Sequence, residues 1–173
     1  MSLNLFLGLH NRVIQVLKDY LPAALDAIDT EQATGDVTPD VQSEDYYEWP
    51  KEVRSAFPSV GVRFTEARPV DDESNTFVGR MDALYPGRIV IDHGIDSAVT
   101  LPQKLQMFVF RYVAGVVRVL KAQNGLETIA DPTRYVQTIF VDEQGIVVGD
   151  VTGQEGLSVL TAVIPVLVRR TEA

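Results

Sequence analysis

The stretch from Thr100 to Ala122 constrains the fold most, because it predicts a long helix that is apolar on nearly every side. Thr100 can cap the first turn, and Pro102 stands where a missing N–H is tolerated. Gln103 follows the cap by three residues and completes a capping box. We therefore expect a central helix over residues 101–122, which must be covered by a sheet and by either a second helix or another subunit.

Arg111 and Arg118 are the only charged residues in the apolar part of this helix. They are seven residues apart and so project from one side of it. We expect them first to pair with acids of this chain. Two alternatives stay open, namely a snorkelling arrangement and pairing with acids of a neighbouring subunit.

The N-terminal region predicts a second helix, over residues 3–30, because its apolar residues recur at steps of three and four. Pro22 is expected to kink or divide this helix. Residues 30–48 form a polar, acidic loop without periodicity, and a loop of that length is usually functional or ordered by a partner. Tyr46, Tyr47 and Trp49 stand at its end and form either an aromatic plug over the core or a contact surface for another chain.

Residues 58–92 predict a sheet with a polar arm. A strand follows Pro58, and a second runs over residues 82–91 with an irregularity at Pro86–Gly87. Residues 92–96 then turn toward the central helix. The arm between the strands carries a run of acids, which we interpret as a solvated tip or, as the alternative, a metal site: Asp71, Asp72 and Glu73.

Residues 134–170 predict the C-terminal strands. A strand ends at the turn Gln144–Gly145, and residues 146–151 could extend a hairpin. The last segment, 156–170, is apolar on both faces, which predicts burial on both sides or by assembly. Pro165 cannot donate to a ladder and favours an edge or a bulge. An apolar edge strand invites another chain, so a partner is expected.

The length of the chain fits one domain over residues 1–173. The predicted elements give it the class α+β, with a mostly antiparallel sheet packed against the central and N-terminal helices. The chain has no cysteine, which excludes disulfides and thiol chemistry. We find no signal peptide and no membrane span, and so expect a soluble protein. A net charge of −9 argues against a surface that grips phosphate backbones, although DNA could slide past an acidic wall.

No motif predicts catalysis, a cofactor or a metal. His93 lies between Asp92 and Asp96, which would suit a base or a metal ligand, but a lone histidine at a strand end is more often a turn residue. The glycine-rich segment 145–156 lacks the lysine and the spacing of a nucleotide-binding loop. We therefore expect no enzyme, and a small hydrolase built on this histidine is the most distant alternative.

The order of elements resembles that of the tail-terminator and tail-completion proteins of long-tailed bacteriophages, also called neck or head–tail joining proteins. The resemblance rests on residues 17–28 (LKDYLPAALDAI), 46–50 (YYEWP), 57–62 (FPSVGV) and the RYVAGVVRVL part of the central helix. It implies a homo-oligomeric, typically hexameric, ring that ends the tail tube and joins it to the head connector. DNA would pass through its channel without sequence-specific binding.

The resemblance further implies a virion protein assembled in the host cytoplasm, with the tail-tube protein and neck proteins as partners and no membrane contact. Our candidates for the subunit or tube interface are Tyr46, Tyr47, Trp49, Asp71, Asp72, Glu73, Arg111 and Arg118. Asp71 to Glu73 would face the lumen or the tube. The alternatives are another virion component, such as a tail-tube, head-completion or stopper protein, and a non-viral protein-binding module.

Overall fold

Two long helices lie on one face of a sheet in the computed structural model. It describes residues 3–48, 57–65, 68–69, 83–96, 102–127, 135–150, 152–154 and 157–172. The helices are α1 (Leu3–Gln32) and α2 (Pro102–Ala122). The strands are β1 (Tyr46–Glu48), β2 (Ser59–Phe64), β3 (Arg68–Pro69), β4 (Ala83–Asp96), β5 (Gly125–Glu127), β6 (Tyr135–Val141), β7 (Val147–Val148), β8 (Thr152–Gln154) and β9 (Leu157–Glu172).

The sheet runs in the order β1-β2-β4-β9-β6-β5, with β3 on β4 and both β7 and β8 on β9. β1 pairs with β2 in parallel, and the other described pairs are antiparallel. The predicted α+β class with a mostly antiparallel sheet is therefore confirmed. The two helices were predicted within a few residues of their observed ends.

Side chains alternate between the two faces of each strand, so register decides which residues meet the helices. Val62 pairs with Ile89, and Ile89 pairs with Ile164, which places all three on the face that α1 and α2 cover. These residues are fully buried. The core thus lies between this inner face and the helices.

The helices pack closely because α2 carries a glycine where α1 crosses it. A Cβ on Gly115 would lie 2.9 Å from Leu21 Cδ1 and 3.1 Å from Leu25 Cδ2. α1 itself runs through Pro22 as one helix, so the predicted division is not observed. Its N-terminal half is tied to the sheet by His10, whose Nε2 accepts a hydrogen bond from the Phe64 amide at 2.9 Å.

Strand β4 is longer and more regular than predicted. It continues through residues 92–96, where we expected a turn, because β9 pairs with it along its whole length. The register is also unbroken at Pro86–Gly87, so the prediction of an irregularity there is wrong. Gly87 has a packing reason instead: a Cβ there would lie 2.5 Å from Phe64 Cδ1, which shows that the phenylalanine ring occupies that space.

Strand β9 lies in the middle of the sheet, between β4 and the group β6, β7 and β8. The prediction of an apolar edge strand is therefore wrong, and the partner expected from open hydrogen bonds there loses that support. Pro165 is accommodated because its neighbour on one side changes from β6 to β7 at this level, and its carbonyl accepts from the Asp142 amide. β7 pairs with β9 and not with β6, so the predicted hairpin extension is wrong as well.

Candidate functional site

Arg111 organises the acidic loop from inside the protein. Its side chain is 1% exposed, and its guanidinium donates to five acceptors of the last turn of α1 and the loop that follows. They are Gln32 Oε1 (2.7 Å), Asp29 Oδ1 (2.8 Å), the Asp36 carbonyl (2.8 Å), Thr38 Oγ1 (3.3 Å) and Thr34 Oγ1 (2.6 Å). A planar guanidinium satisfied in this way fixes the loop in one conformation.

Three further contacts hold the end of α1 and the loop to α2. Lys104 Nζ lies 2.8 Å from Asp36 Oδ1, and the Arg118 guanidinium forms a bidentate ion pair with the Glu31 carboxylate at 2.8 and 3.0 Å. The Tyr112 hydroxyl donates to the Pro39 carbonyl. The predicted pairing of Arg111 and Arg118 with acids of this chain is what the structure has. Arg111 is thereby removed from the list of interface candidates, whereas Arg118 stays at the surface.

Tyr46 and Tyr47 are buried, so their position fits the aromatic plug over the core better than a contact surface for another chain. Together with Glu48 they form β1. The loop predicted over residues 30–48 therefore ends before Tyr46. Burial, and secondarily the charge of Asp40, raises the pKa of Tyr46 above its ordinary value. Trp49, Asp71, Asp72 and Glu73 lie outside the described residues.

His93 and Asp92 point to opposite faces of the sheet because they are neighbours on one strand. His93 packs edge-on against the rings of Phe108 and Tyr112 of α2, at centroid distances of 5.6 and 5.5 Å. Asp92 is buried on the other face, where Thr161 Oγ1 donates to it at 2.5 Å. The strand geometry thus separates the pair on which a hydrolase would depend. No group of three or more His, Asp or Glu within the described ranges could hold a metal ion.

The opposite surface of the sheet, which we call the outer face, has no helix over it among the described residues, and it is apolar where β6, β7 and β9 meet. Phe140 of β6 pairs with Leu167, and Val147 of β7 pairs with Val163. Phe140 and Val147 are 51% and 61% exposed, and their β9 partners are half-buried. Large side chains at this exposure are what protein contact surfaces present.

Arginines border this apolar surface. Arg63 and Arg88 are directly opposite each other on β2 and β4, and Arg88 is opposite Pro165 on β9. Arg169 lies further along the same face of β9, and all three arginines are exposed. Like charges directly opposite each other destabilise a sheet pair. The outer face is therefore a basic and apolar surface on a chain whose net charge is −9.

A second apolar surface lies on the helix side, in a groove of about 730 Å³ between α2 and the turn that precedes β7. Phe110, Val113 and Val117 form one wall, with Phe110 56% exposed, and Ile146 forms the other. Lys121 and Glu143 pair across the groove at 2.5 Å. No helix in the part of the chain that the structure describes is long and apolar enough to cross a membrane.

Sequence reasoning missed Arg63, Arg88 and Phe140 as surface candidates. Alternation alone places each on one face of its own strand, but only the register brings the three strands together. The exposed residues of the groove could not be identified because the central helix is apolar on nearly every side, and its sequence does not show which side stays uncovered.

No protein-family model matches this chain, and no curated protein matches it in sequence. Among solved structures, it aligns with a chain described as "Virion of native gene transfer agent (GTA) particle", at 14% sequence identity and a TM-score of 0.48. The alignment covers 99% of this chain and 100% of that one. An alignment at this level identifies neither a family nor a function.

Proposed function

We propose that this chain is a structural virion protein of a long-tailed phage, which forms a ring that terminates the tail tube and joins it to the head connector. DNA passes through the channel of the ring. The resemblance of residues 17–28, 46–50 and 57–62 and of the central helix to tail-terminator and tail-completion proteins supports this proposal. The structural observation that carries it is the exposure of two separate apolar surfaces, one on each side of the molecule.

The need for partners comes from these surfaces and not from a strand edge. Phe140 and Val147 on the outer face and Phe110 in the groove are each more than half exposed. A monomeric protein of this size rarely exposes two such surfaces without a binding role. Identical subunits that meet through two different surfaces close into a ring when the rotation between them permits.

The acidic composition suits a DNA channel. Negative side chains on a lumen repel phosphates and so let the duplex slide, whereas clustered basic side chains would retain it. Asp71, Asp72 and Glu73 remain our candidates for lumen or tube contacts, and Trp49 and Arg118 for contacts between subunits or with the tube.

The test is assembly of the purified chain. Light scattering coupled to size-exclusion chromatography should give a ring of several subunits, and negative-stain electron microscopy should show a central hole. With purified tail tubes added, the chain should decorate their ends. Binding along the tube wall or to capsid portals alone would favour another virion role. A chain that stays monomeric at its highest soluble concentration, with and without tubes, would overturn the proposal.

A further inference from the structure

The outer face has the composition of a protein-binding surface and not of a nucleic-acid-binding one. Its centre is apolar, with Val163, Leu167 and the exposed Phe140, and its arginines stand at the border. Arginine and aromatic residues are enriched in protein interfaces. Surfaces that bind nucleic acids are more polar, because they contact phosphates.

Charge indicates what kind of protein fits there. Arg88 is exposed, and it makes no hydrogen bond or ion pair within the described part of the chain. Its cross-strand neighbour Arg63 adds a second positive charge on the same face. The partner should therefore present acids beside a small apolar group.

The acidic loop of this chain has that composition. Val37 is 75% exposed, and Asp40 and Glu44 stand at the surface nearby in sequence. Asp36, Asp29 and Glu31 are already paired with bases of α2, whereas Asp40 and Glu44 take part in no ion pair among the described residues. Arg88 on the outer face and Asp40 and Glu44 in the acidic loop therefore form no ion pair among the described residues.

We propose that the acidic loop of one copy docks on the outer face of the next, with Val37 against the apolar centre and Asp40 and Glu44 beside Arg88. This inference rests on the proposed ring and names the surfaces through which its subunits meet. Charge complementarity of this kind sets the register of an interface and speeds association.

The loop is prepared for docking before it meets a partner. Three hydrogen bonds from Arg111, to the Asp36 carbonyl and to the Thr38 and Thr34 hydroxyls, hold the first part of the loop in one arrangement. A segment that is already ordered loses little conformational entropy on binding. The buried arginine therefore acts on assembly through the loop that it positions.

The two surfaces also lie on opposite sides of the molecule. The loop is attached to α2 on the helix side, whereas Arg88 and Val163 point away from the helices. Contacts between different surfaces are head-to-tail, which is the arrangement that generates rings.

Charge reversal tests this contact. Arg88→Glu should weaken self-association at least about tenfold, measured by sedimentation velocity over a concentration series. Asp40→Lys combined with Glu44→Lys should do the same. Arg88 is exposed and forms no hydrogen bond or ion pair within the described chain, so its substitution should leave the monomer intact, and circular dichroism should show an unchanged fold.

Mixing the two variants gives the decisive result. In an equimolar mixture, each acidic surface meets a basic one at every interface, so the mixture should assemble although neither variant does so alone. Lys121→Glu makes the same charge change in the groove, so it tests whether the effect is specific to the outer face. A loss of assembly as large as that of Arg88→Glu would show that it is not, and would count against this inference. This inference would be overturned, and the proposed ring left in place, if the Arg88→Glu variant formed rings as the wild type does or if the mixture stayed dissociated. A monomeric wild type would overturn both.

Discussion

His93 should make this protein sensitive to acid. The side chain is 3% exposed, and within the described part of the chain neither ring nitrogen has a hydrogen-bond partner. The Tyr112 hydroxyl, although its ring is adjacent, is engaged by the Pro39 carbonyl. Burial without a partner disfavours the charged imidazolium and lowers the pKa of His93 from 6.5 to about 4.

The size of the effect follows from proton linkage. The unfolded chain binds a proton at this histidine below about pH 6.5, and the folded chain does so only near pH 4. Between these values the unfolded state binds more protons, so the free energy of unfolding falls as the pH falls. The loss relative to neutral pH reaches about 2 kcal/mol at about pH 5 and about 3 kcal/mol at about pH 4.

Urea unfolding followed by circular dichroism measures this loss in wild type and in His93→Leu. Leucine removes the titrating group and the two unsatisfied nitrogens, and it should raise the free energy of unfolding at neutral pH by about 1 kcal/mol. Carboxylates that titrate in the same range contribute equally to both proteins. The difference between the two pH profiles therefore isolates the histidine, at a protein concentration where both are monomeric.

Parallel pH profiles for wild type and His93→Leu would refute the reasoning. They would show that the imidazole charges as readily in the folded protein as in the unfolded chain. A hydrogen-bonding or hydrated site at the contact between β4 and α2 would then replace the dry one described above.

Other predictions concern the loop and the sheet. Arg111→Met should lower the free energy of unfolding by about 3 kcal/mol, because it leaves the partly buried Asp29 carboxylate without its charged partner, and limited proteolysis should then cleave the acidic loop. Arg118→Met should change neither measurement, because that ion pair is exposed; equal effects of the two variants would contradict the role given to the buried one. Gly87→Ala should cost at least about 2 kcal/mol in thermal unfolding, because its Cβ would meet the Phe64 ring. Gly125→Ala, whose Cβ would meet nothing within 4 Å, is the control, and similar melting of both would refute the packing argument.

The helices and most strands could be predicted because their signals are local. Apolar spacing over residues 3–30 and 101–122 located α1 and α2 to within a few residues. Alternation before Gln144 and after Pro58 located β6 and β2. Such patterns depend on neighbours a few residues away, which a single chain displays in full.

Strand order could not be predicted because pairing is not local. The apolar residues of β9 face both sides of the sheet, and this pattern fits a central strand as well as an edge strand covered by another subunit. Pro165 favoured the edge, since a proline in a central strand removes a ladder hydrogen bond. In the fold its neighbour changes from β6 to β7 at that level, so the missing donor interrupts little.

The same limit hid the candidate site. Arg63 and Arg88 are 25 positions apart in the chain, and nothing in either local pattern indicates that they are opposite each other. For Arg111 the sequence favoured pairing within the chain but left an interface open, because an arginine on an apolar helix is compatible with either, and only the position of the loop decides between them. Register and loop path both emerge from the packed structure.

The expectation of a partner rested at first on an open edge, which the fold does not have, and it now depends on the layer arrangement. The two described helices lie on one side of the sheet, and the other side keeps half-buried apolar residues on β9. A sheet exposed to water on one face would normally carry polar residues there. Val163, Pro165 and Leu167 on the central strand break that rule, and the arginines around them give the uncovered face a charge opposite to that of the whole chain. A surface that is both apolar and opposite in charge is best explained by an acidic protein that covers it, and a second copy of this chain meets that description.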